Sequence, residues 1–457
     1  MKKLKILSFA AILFLVGCNT NKVSEENNEE SQIMETSQEA YSSENTSKSS
    51  SKSSSSSSSQ AQANILAATY SWQASDLAIS QQKENCKNYV DAMRNQQKSI
   101  HNDYYYNPNY VINQTTSVDI AKYYDAANTP KAQKADHSYG VKISLPSSVA
   151  TVISEKATVE YSMNSNFTES MSISVNKTDT EVTLVNLFSA KTYYWRVKDG
   201  NNVVSEVSNF TTGDYPRWID CGAMYNVRDM GGYMTSSGKR VKQGLVFRGG
   251  EITHKAWATD HTFTGDDAAK DVFRNVMKIG VELDLRRTAD LGGGETYTSC
   301  MFAENGDIDY VNKSINSYAT GVNNNANLIK DIFNLMANTD KKPVYFHCHG
   351  GADRTGIIGW LLDGLLGVSY TDLVIDFELT SYSSIGGGDC KRSHLYNTGN
   401  YDKYRDFISA MRNMTVNGQK IWDDMKPISE NVEAYLVKKA GVSQANINKI
   451  KQIMIED

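Results

Sequence analysis

The stretch Lys342-Pro343-Val344-Tyr345-Phe346-His347-Cys348-His349-Gly350-Gly351-Ala352-Asp353-Arg354-Thr355-Gly356 decides how the C-terminal half of this chain is read. Lys342 to Phe346 reads as a buried strand, and Thr355 to Leu366 as an apolar helix. A cysteine, five residues and an arginine therefore lie on the turn between strand and helix. Such a loop can turn its backbone N–H groups inward as an anion nest, and the helix behind it adds a positive N-terminal end. Both lower a thiol pKa from about 8.5, so Cys348 is expected as a thiolate at neutral pH. Gly350 and Gly351 permit backbone conformations that β-carbons block. Arg354 offers a planar fork to two phosphate oxygens, which a lysine cannot copy. Thr355 can donate its hydroxyl to the sulfur, and His347 reads as a buried orienting residue.

Outward from this loop, residues 215–457 alternate apolar strands with helical patterns, the pattern of an α/β domain with a mainly parallel sheet. Val281–Leu285 and Ile308–Val311 read as strands and Asn327–Met336 as an amphipathic helix. Further helices are expected at about 371–381, 401–413, 428–439 and 443–455.

The run from His347 to Gly356 resembles the signature of cysteine-dependent protein-tyrosine phosphatases. Asn226-Val227-Arg228-Asp229-Met230-Gly231-Gly232 and Leu283-Asp284-Leu285-Arg286 resemble the paired N-terminal motifs of the atypical bacterial tyrosine and phosphoinositide phosphatases. Tyr435-Leu436 through Gly441-Val442-Ser443 is similar to that group's closing helices. The resemblance implies an enzyme without cofactor or metal, in which Cys348 forms a phosphocysteine. Arg354, Thr355 and the loop residues His349, Gly350, Gly351 and Ala352 would hold the phosphoryl oxygens. For the general acid, the interval from Tyr310 to Leu328 contains no Asp or Glu, whereas the atypical subgroup places an aspartate before the signature arginine. Asp353 is the expected acid and Asp284 the second candidate. Phosphoinositide-active members often carry lysine where this chain has Ala352. Arg228 and Arg248 could add positive charge at the mouth, and Arg228 is counted among the expected substrate contacts.

Residues 136–213 form a different unit. Short β-rich runs at 141–145, 157–162, 171–175, 181–187, 192–198 and 203–211 alternate with polar turns, as in an all-β sandwich. Leu187, six residues before Tyr193, resembles the tyrosine corner of the fibronectin type III module, with Thr192–Val197 as its strand F. Trp195 is expected in the core. Residues 64–135 are left unassigned: 75–98 carry mixed helical signals (Leu77, Ile79, Tyr89, Val90, Met93). Tyr104, Tyr105, Tyr106, Tyr110, Tyr123 and Tyr124 fit packing residues of a small helical cap.

The N-terminus reads as an address. Lys2, Lys3 and Lys5 precede the short apolar segment Ile6–Val16, and Leu15-Val16-Gly17-Cys18 resembles a bacterial lipobox. Residues 1–18 are the expected signal, with Cys18 the lipidated residue. Residues 19–63, with the serine tract at Ser49–Ser59, cannot bury enough apolar surface to offset their ordering entropy and are expected as a disordered tether. The expected location is the extracellular face of the cell membrane.

Charge agrees with this division. The chain of 457 residues has 47 basic and 52 acidic side chains, a net charge of −5, and no clustered basic stripe, so nucleic acid is excluded as partner. The expected partners are a phosphorylated protein or small phosphomonoester and, through the lipid, the membrane. Cys86, Cys221, Cys300 and Cys390 leave disulfide connectivity open. His347-Cys348-His349 does not read as a metal site, because adjacent strand residues point to opposite faces. Three alternatives stand beside phosphotyrosine hydrolysis: a phosphoinositide or inositol phosphate phosphatase, a cysteine phytase, and a non-catalytic surface adhesin that reads phosphate.

Overall fold

The computed structural model describes residues 74–76, 81–100, 118, 120–123, 140–145, 153, 157–252, 267–291, 297–316, 320–383 and 401–457. The signal with Cys18, the serine tract, the tyrosines at 104–110 and Cys390 lie outside the described residues.

The first eight strands are β1 (Ala74–Asp76), β2 (Val141–Ser144), β3 (Ala157–Ser162), β4 (Met171–Val175), β5 (Glu181–Leu184), β6 (Thr192–Asp199), β7 (Asn202–Val203) and β8 (Ser208–Thr211). They make two antiparallel sheets, one ordered β1-β2-β5 and the other β4-β3-β6-β7, with β8 also paired to β6. Period-two alternation sends Tyr193, Trp195 and Val197 of β6 inward to meet Val141, Ile143 and Val159 in one core. The Tyr193 hydroxyl accepts the Phe188 N–H at 2.9 Å, pinning the turn before β6.

Between β1 and β2 runs helix α1 (Gln81–Ile100). Its buried residues Cys86, Tyr89, Val90 and Met93 fall at i, i+3, i+4 and i+7, one stripe of a helix. They enter the core of the C-terminal α/β part rather than that of the sandwich. The segment left unassigned by sequence therefore divides: β1 adds a strand to the sandwich, and α1 is a core helix of the α/β part.

The α/β part holds β9 (Arg228–Asp229), β10 (Val246–Gly249), a short helix α2 (Asp267–Asp271), β11 (Val281–Asp284) and β12 (Asp309–Asn312). Then come α3 (Gly321–Asn324), α4 (Ala326–Asn338), β13 (Val344–His347), α5 (Asp353–Leu366), α6 (Tyr370–Leu379) and α7 (Tyr401–Arg412). The hairpin β14 (Thr415–Val416) and β15 (Gln419–Lys420) leads to α8 (Ile428–Ala434) and α9 (Gln444–Met454). The main sheet is ordered β12-β11-β13-β10-β9. β10, β11, β12 and β13 run parallel, and β9 is antiparallel to β10. β10, β11 and β13 are buried at every position, as strands covered on both faces must be. β13 lies at the centre, so the loop after it opens at the middle of the sheet's C-terminal edge, where ligands of open α/β sheets bind.

Helix α5 is buried from Arg354 to Leu366 and ends at Gly367, whose φ of 85° gives a left-handed cap. α6 follows at once, capped by the Ser369 hydroxyl, which accepts the Asp372 N–H. It too is buried throughout, so it needs cover on every side, and α1 supplies part of it. The Tyr89 hydroxyl donates to Glu378, and Arg94 Nε meets Asp372 at 2.9 Å.

The sandwich is bolted to the α/β part at its β5–β6 corner. Buried Arg217 donates to the carbonyls of Leu187 (3.1 Å) and Asn186 (2.8 Å), stacks on Phe188 and pairs with Asp229 at 2.6 Å. Gln243 exchanges two hydrogen bonds with the Ser189 backbone at 2.8 and 2.9 Å. Among the described residues no helix is long and apolar enough to cross a membrane.

Candidate active site

β13 delivers His347 and Cys348 to the sheet edge, and α5 begins five residues after the thiol, at Asp353. The intervening loop is held from behind by its carbonyls. The Glu251 N–H (3.0 Å) and the Tyr225 hydroxyl (3.1 Å) donate to the His349 carbonyl. Asn226 Nδ2 donates to the carbonyls of Gly350 (3.0 Å) and Gly351 (3.1 Å), and Arg248 to that of Gly351 at 2.8 Å. A peptide plane points its C=O and the next N–H in opposite directions. With these carbonyls turned outward, the amides of Gly350, Gly351 and Ala352 face the other way, into the loop's concavity. Gly351 must be glycine: its φ is 65°, and a Cβ would lie 2.3 Å from the Gly249 carbonyl oxygen.

Cys348 sits at the loop's base, 3 % exposed. Burial pushes its thiol pKa up, but the charge of Arg354 and then the polar hydroxyl and amide of Thr355 outweigh that, against opposition from Asp353, and the thiol lies below its ordinary value. Direction and cause agree with a thiolate nucleophile.

Arg354 points one terminal nitrogen, Nη1, away from the loop, at the Leu285 carbonyl (3.4 Å) and the Asp290 carboxylate. Asp290 also binds Arg287 Nη2 at 2.6 Å, so two guanidinium groups share one carboxylate. Burial raises the Asp290 pKa, but Arg287 and Arg354 overcome this and hold it well below the usual carboxylate range. Fixing one edge of a guanidinium in this way orients the rest of the planar fork.

His347 is fully buried; Nε2 meets Glu282 at 2.9 Å and Nδ1 the Cys348 carbonyl at 3.0 Å, so it orients the loop's entry. His349 Nδ1 lies 2.8 Å from Glu251, which also binds Arg286 at 2.9 Å. Arg286 in turn binds Asp284 at 2.7 Å, and the Tyr310 hydroxyl donates to the same carboxylate at 2.8 Å. Glu282, Asp284 and His347 are the described side chains whose donor atoms cluster as metal ligands would. Those atoms are engaged with one another, Arg286 and Tyr310, so the cluster reads as an ion-pair core.

The structure brings Cys348, His349, Gly350, Gly351, Ala352, Asp353, Arg354 and Thr355 together around one loop. Asp353 opens α5 at 13 % side-chain exposure, with Lys403 Nζ of α7 at 3.1 Å from its carboxylate. Asp284 is fully buried and bound to Arg286, which removes it from the candidates for acid. Arg228 requires a correction. It is 0 % exposed, donates to the Asp376 carbonyl at 3.0 Å and pairs with the Asp376 side chain, so it stands behind the loop and meets no substrate. Arg248 shares that carboxylate and is likewise buried. Cys86, Cys221, Cys300 and Cys348 are buried thiols that form no disulfide among the described residues.

Asp290, Glu251, Asp376 and Lys403 were not legible as site residues, since nothing local to each announces its partner. Only Asp290, four residues after the Leu283–Arg286 motif, had a positional hint.

Residues 219–456 match the sequence model of the tyrosine phosphatase family. Among solved structures, the chain is similar to the core catalytic domain of the PP-IP phosphatase SIW14 from S. cerevisiae in complex with citrate. The two are 14% identical with a TM-score of 0.22, over 31% of this chain and 75% of that one. No curated protein matches the chain.

Proposed function

The chain belongs to the tyrosine phosphatase family and is a cysteine-based phosphatase, and from that premise we propose that it hydrolyses phosphotyrosine in proteins at the outer face of a membrane. The observation that carries the chemistry is the geometry: Cys348 lies at the base of a loop whose His349, Gly350 and Gly351 carbonyls are bound from behind, at the start of α5, where Arg354 favours its thiolate. In the proposed reaction the Cys348 sulfur donates its electron pair to phosphorus, in line with the leaving oxygen. The S–P bond forms as the P–O bond breaks. The loop amides and Arg354 carry the charge on the equatorial oxygens. Asp353 gives its proton to the leaving oxygen, then takes one from the water that attacks phosphorus and releases the thiolate.

Export by the N-terminal signal and anchoring through Cys18 are part of the same proposal; the sequence pattern supports them. The sandwich is read as a fibronectin type III-like module, and the Tyr193–Phe188 corner bond supports that reading. Its role would be to carry the catalytic part on a rigid stalk, in keeping with the buried Arg217 bolt.

The test is turnover of a phosphotyrosine peptide, a phosphoserine peptide and para-nitrophenyl phosphate by wild type and Asp353→Asn. Phosphotyrosine should be the better peptide. The variant should lose about 10²–10³-fold with the peptide and less with para-nitrophenyl phosphate, whose leaving group needs little protonation. Equal losses on both substrates would move the acid away from Asp353.

A further inference from the structure

A cleft of about 1060 Å³ opens where the sandwich meets the α/β part. One wall is the β3–β4 corner with the start of β6, and the other is the chain that leads into β10, β11 and β13. Gly244, Lys278 and Lys342 of the second wall each precede a parallel strand, so the cleft lies at the N-terminal edge of the main sheet. Cys348 follows β13 at the opposite edge, so the cleft is separate from the phosphoryl site. Junctions between domains are a preferred place for ligand clefts of this size. Three of its wall residues are apolar yet open to solvent: Met163, Met171 and Val276 are 45%, 46% and 39% exposed.

The walls carry opposite charges. Glu169 lines the sandwich side and Lys278 the α/β side, and among the described residues neither the carboxylate nor the ammonium meets a partner. Lys342, whose Nζ donates to the Thr339 carbonyl at 2.6 Å, adds to the positive wall. β4 starts at the cleft, with Met171. It pairs with β3 on one side, and among the described residues its other edge pairs with nothing. Natural sheet edges are usually blunted by a charge, a proline or a bulge. Met171-Ser172-Ile173-Ser174-Val175 has no charge and no proline, and its one-to-one register with β3 has no bulge.

We infer that the open edge of β4 and the cleft together bind an extended peptide segment with alternating apolar side chains and an acidic end. An edge of regularly repeated backbone N–H and C=O groups is matched by another backbone, which makes the ligand a peptide. A strand added to β4 and continued past Met171 enters the cleft. Antiparallel addition, the commoner pairing, puts the peptide's C-terminal end there. Met163 and Met171, with their adaptable thioethers, and Val276 take its apolar side chains. Lys278 and Lys342 attract an acid to the α/β wall, and Glu169 turns one away from the sandwich wall. The site lies apart from the phosphatase chemistry and stands independently of it.

The experiment titrates the full chain with labelled peptides that alternate serine and valine and end, amidated, in either aspartates or lysines, read by fluorescence anisotropy at low salt. Wild type should bind the aspartate peptide about fivefold more tightly than the lysine peptide. Lys278→Glu should reverse that order while melting at the wild-type temperature. Two further aspartate peptides, N-methylated at odd positions in one and at even positions in the other, keep every side chain. The one whose methyl groups face β4 should lose about tenfold in affinity and the other little. No binding of either peptide to wild type, the same preference in Lys278→Glu, or equal binding of the two methylated peptides overturns the proposal. So does dimerisation of the wild-type chain in sedimentation that excludes the peptides, since it gives the edge to a second copy.

Discussion

At the scale of single residues, the site depends on two acids whose jobs differ from what their type suggests. Asp290 binds no phosphate; it fixes one end of Arg354. Asp353 slightly opposes the thiolate it stands beside, and Arg354 and Thr355 have to overcome both it and burial to lower the Cys348 thiol. A lowered thiol pKa means the reactive thiolate persists to lower pH. Alkylation of Cys348 by iodoacetamide should therefore reach half its maximal rate below about pH 8.5. In Thr355→Ala, which removes the hydroxyl that helps lower the thiol, that midpoint should rise. A midpoint at or above the ordinary thiol value in wild type contradicts the site as described. The nucleophile and arginine were legible because they lie six positions apart on one turn, so their encounter is local. Arg228 was misread for the opposite reason. Its charge was visible in sequence, but the carboxylate that buries it, Asp376, lies 148 residues away.

At the scale of elements, α6 carries more of the site than its distance from Cys348 implies. Its Asp376 is held below the usual carboxylate range: burial raises it, and Arg248 and Arg228 lower it further than that. Those two arginines, with Asn226, reach the loop: Arg248 binds the Gly351 carbonyl, and Asn226 accepts from Arg228 while donating to Gly350 and Gly351. Asp376→Asn would leave two buried guanidinium groups short of one negative charge. It should destabilise the protein by roughly 3–5 kcal/mol, read from the shift in a chemical denaturation curve. A loss under about 1 kcal/mol would mean the pair is better solvated than its burial indicates. The strands and helices expected from periodicity at 281–285, 327–336, 371–381 and 443–455 lie within a few residues of β11, α4, α6 and α9. β9 escaped because two residues are too short to show a period, and β10 was not read as a strand.

At the scale of the whole molecule, the part that matches the family is not a closed unit. α1 lies in sequence between the first two strands of the sandwich yet fills the α/β core, with Tyr89, Val90 and Met93 fully buried there. Its stripe was partly legible, but Cys86 had been counted with the thiols and the partner surface on α6 has no local signature. A fragment of residues 215–457 loses these contacts. Four buried side chains at roughly 1.5–3 kcal/mol each amount to a large share of a typical stability of about 5–15 kcal/mol. That fragment should aggregate or unfold at clearly lower denaturant than residues 74–457. Equal midpoints for the two would show that α1 only decorates the core. The sandwich was legible from alternation and its tyrosine corner, whereas its bolt at Arg217 pairs residues from both units and could be seen only in three dimensions.

The central claim is that Cys348 is the atom to which phosphorus is transferred. The direct measurement is acid quench of wild type and Asp353→Asn during turnover of a phosphotyrosine peptide, followed by peptide mass spectrometry to locate phosphate on the protein. Phosphate on Cys348, absent in Cys348→Ser, is the predicted result. Full turnover by Cys348→Ser, or phosphate trapped on another residue, would contradict it.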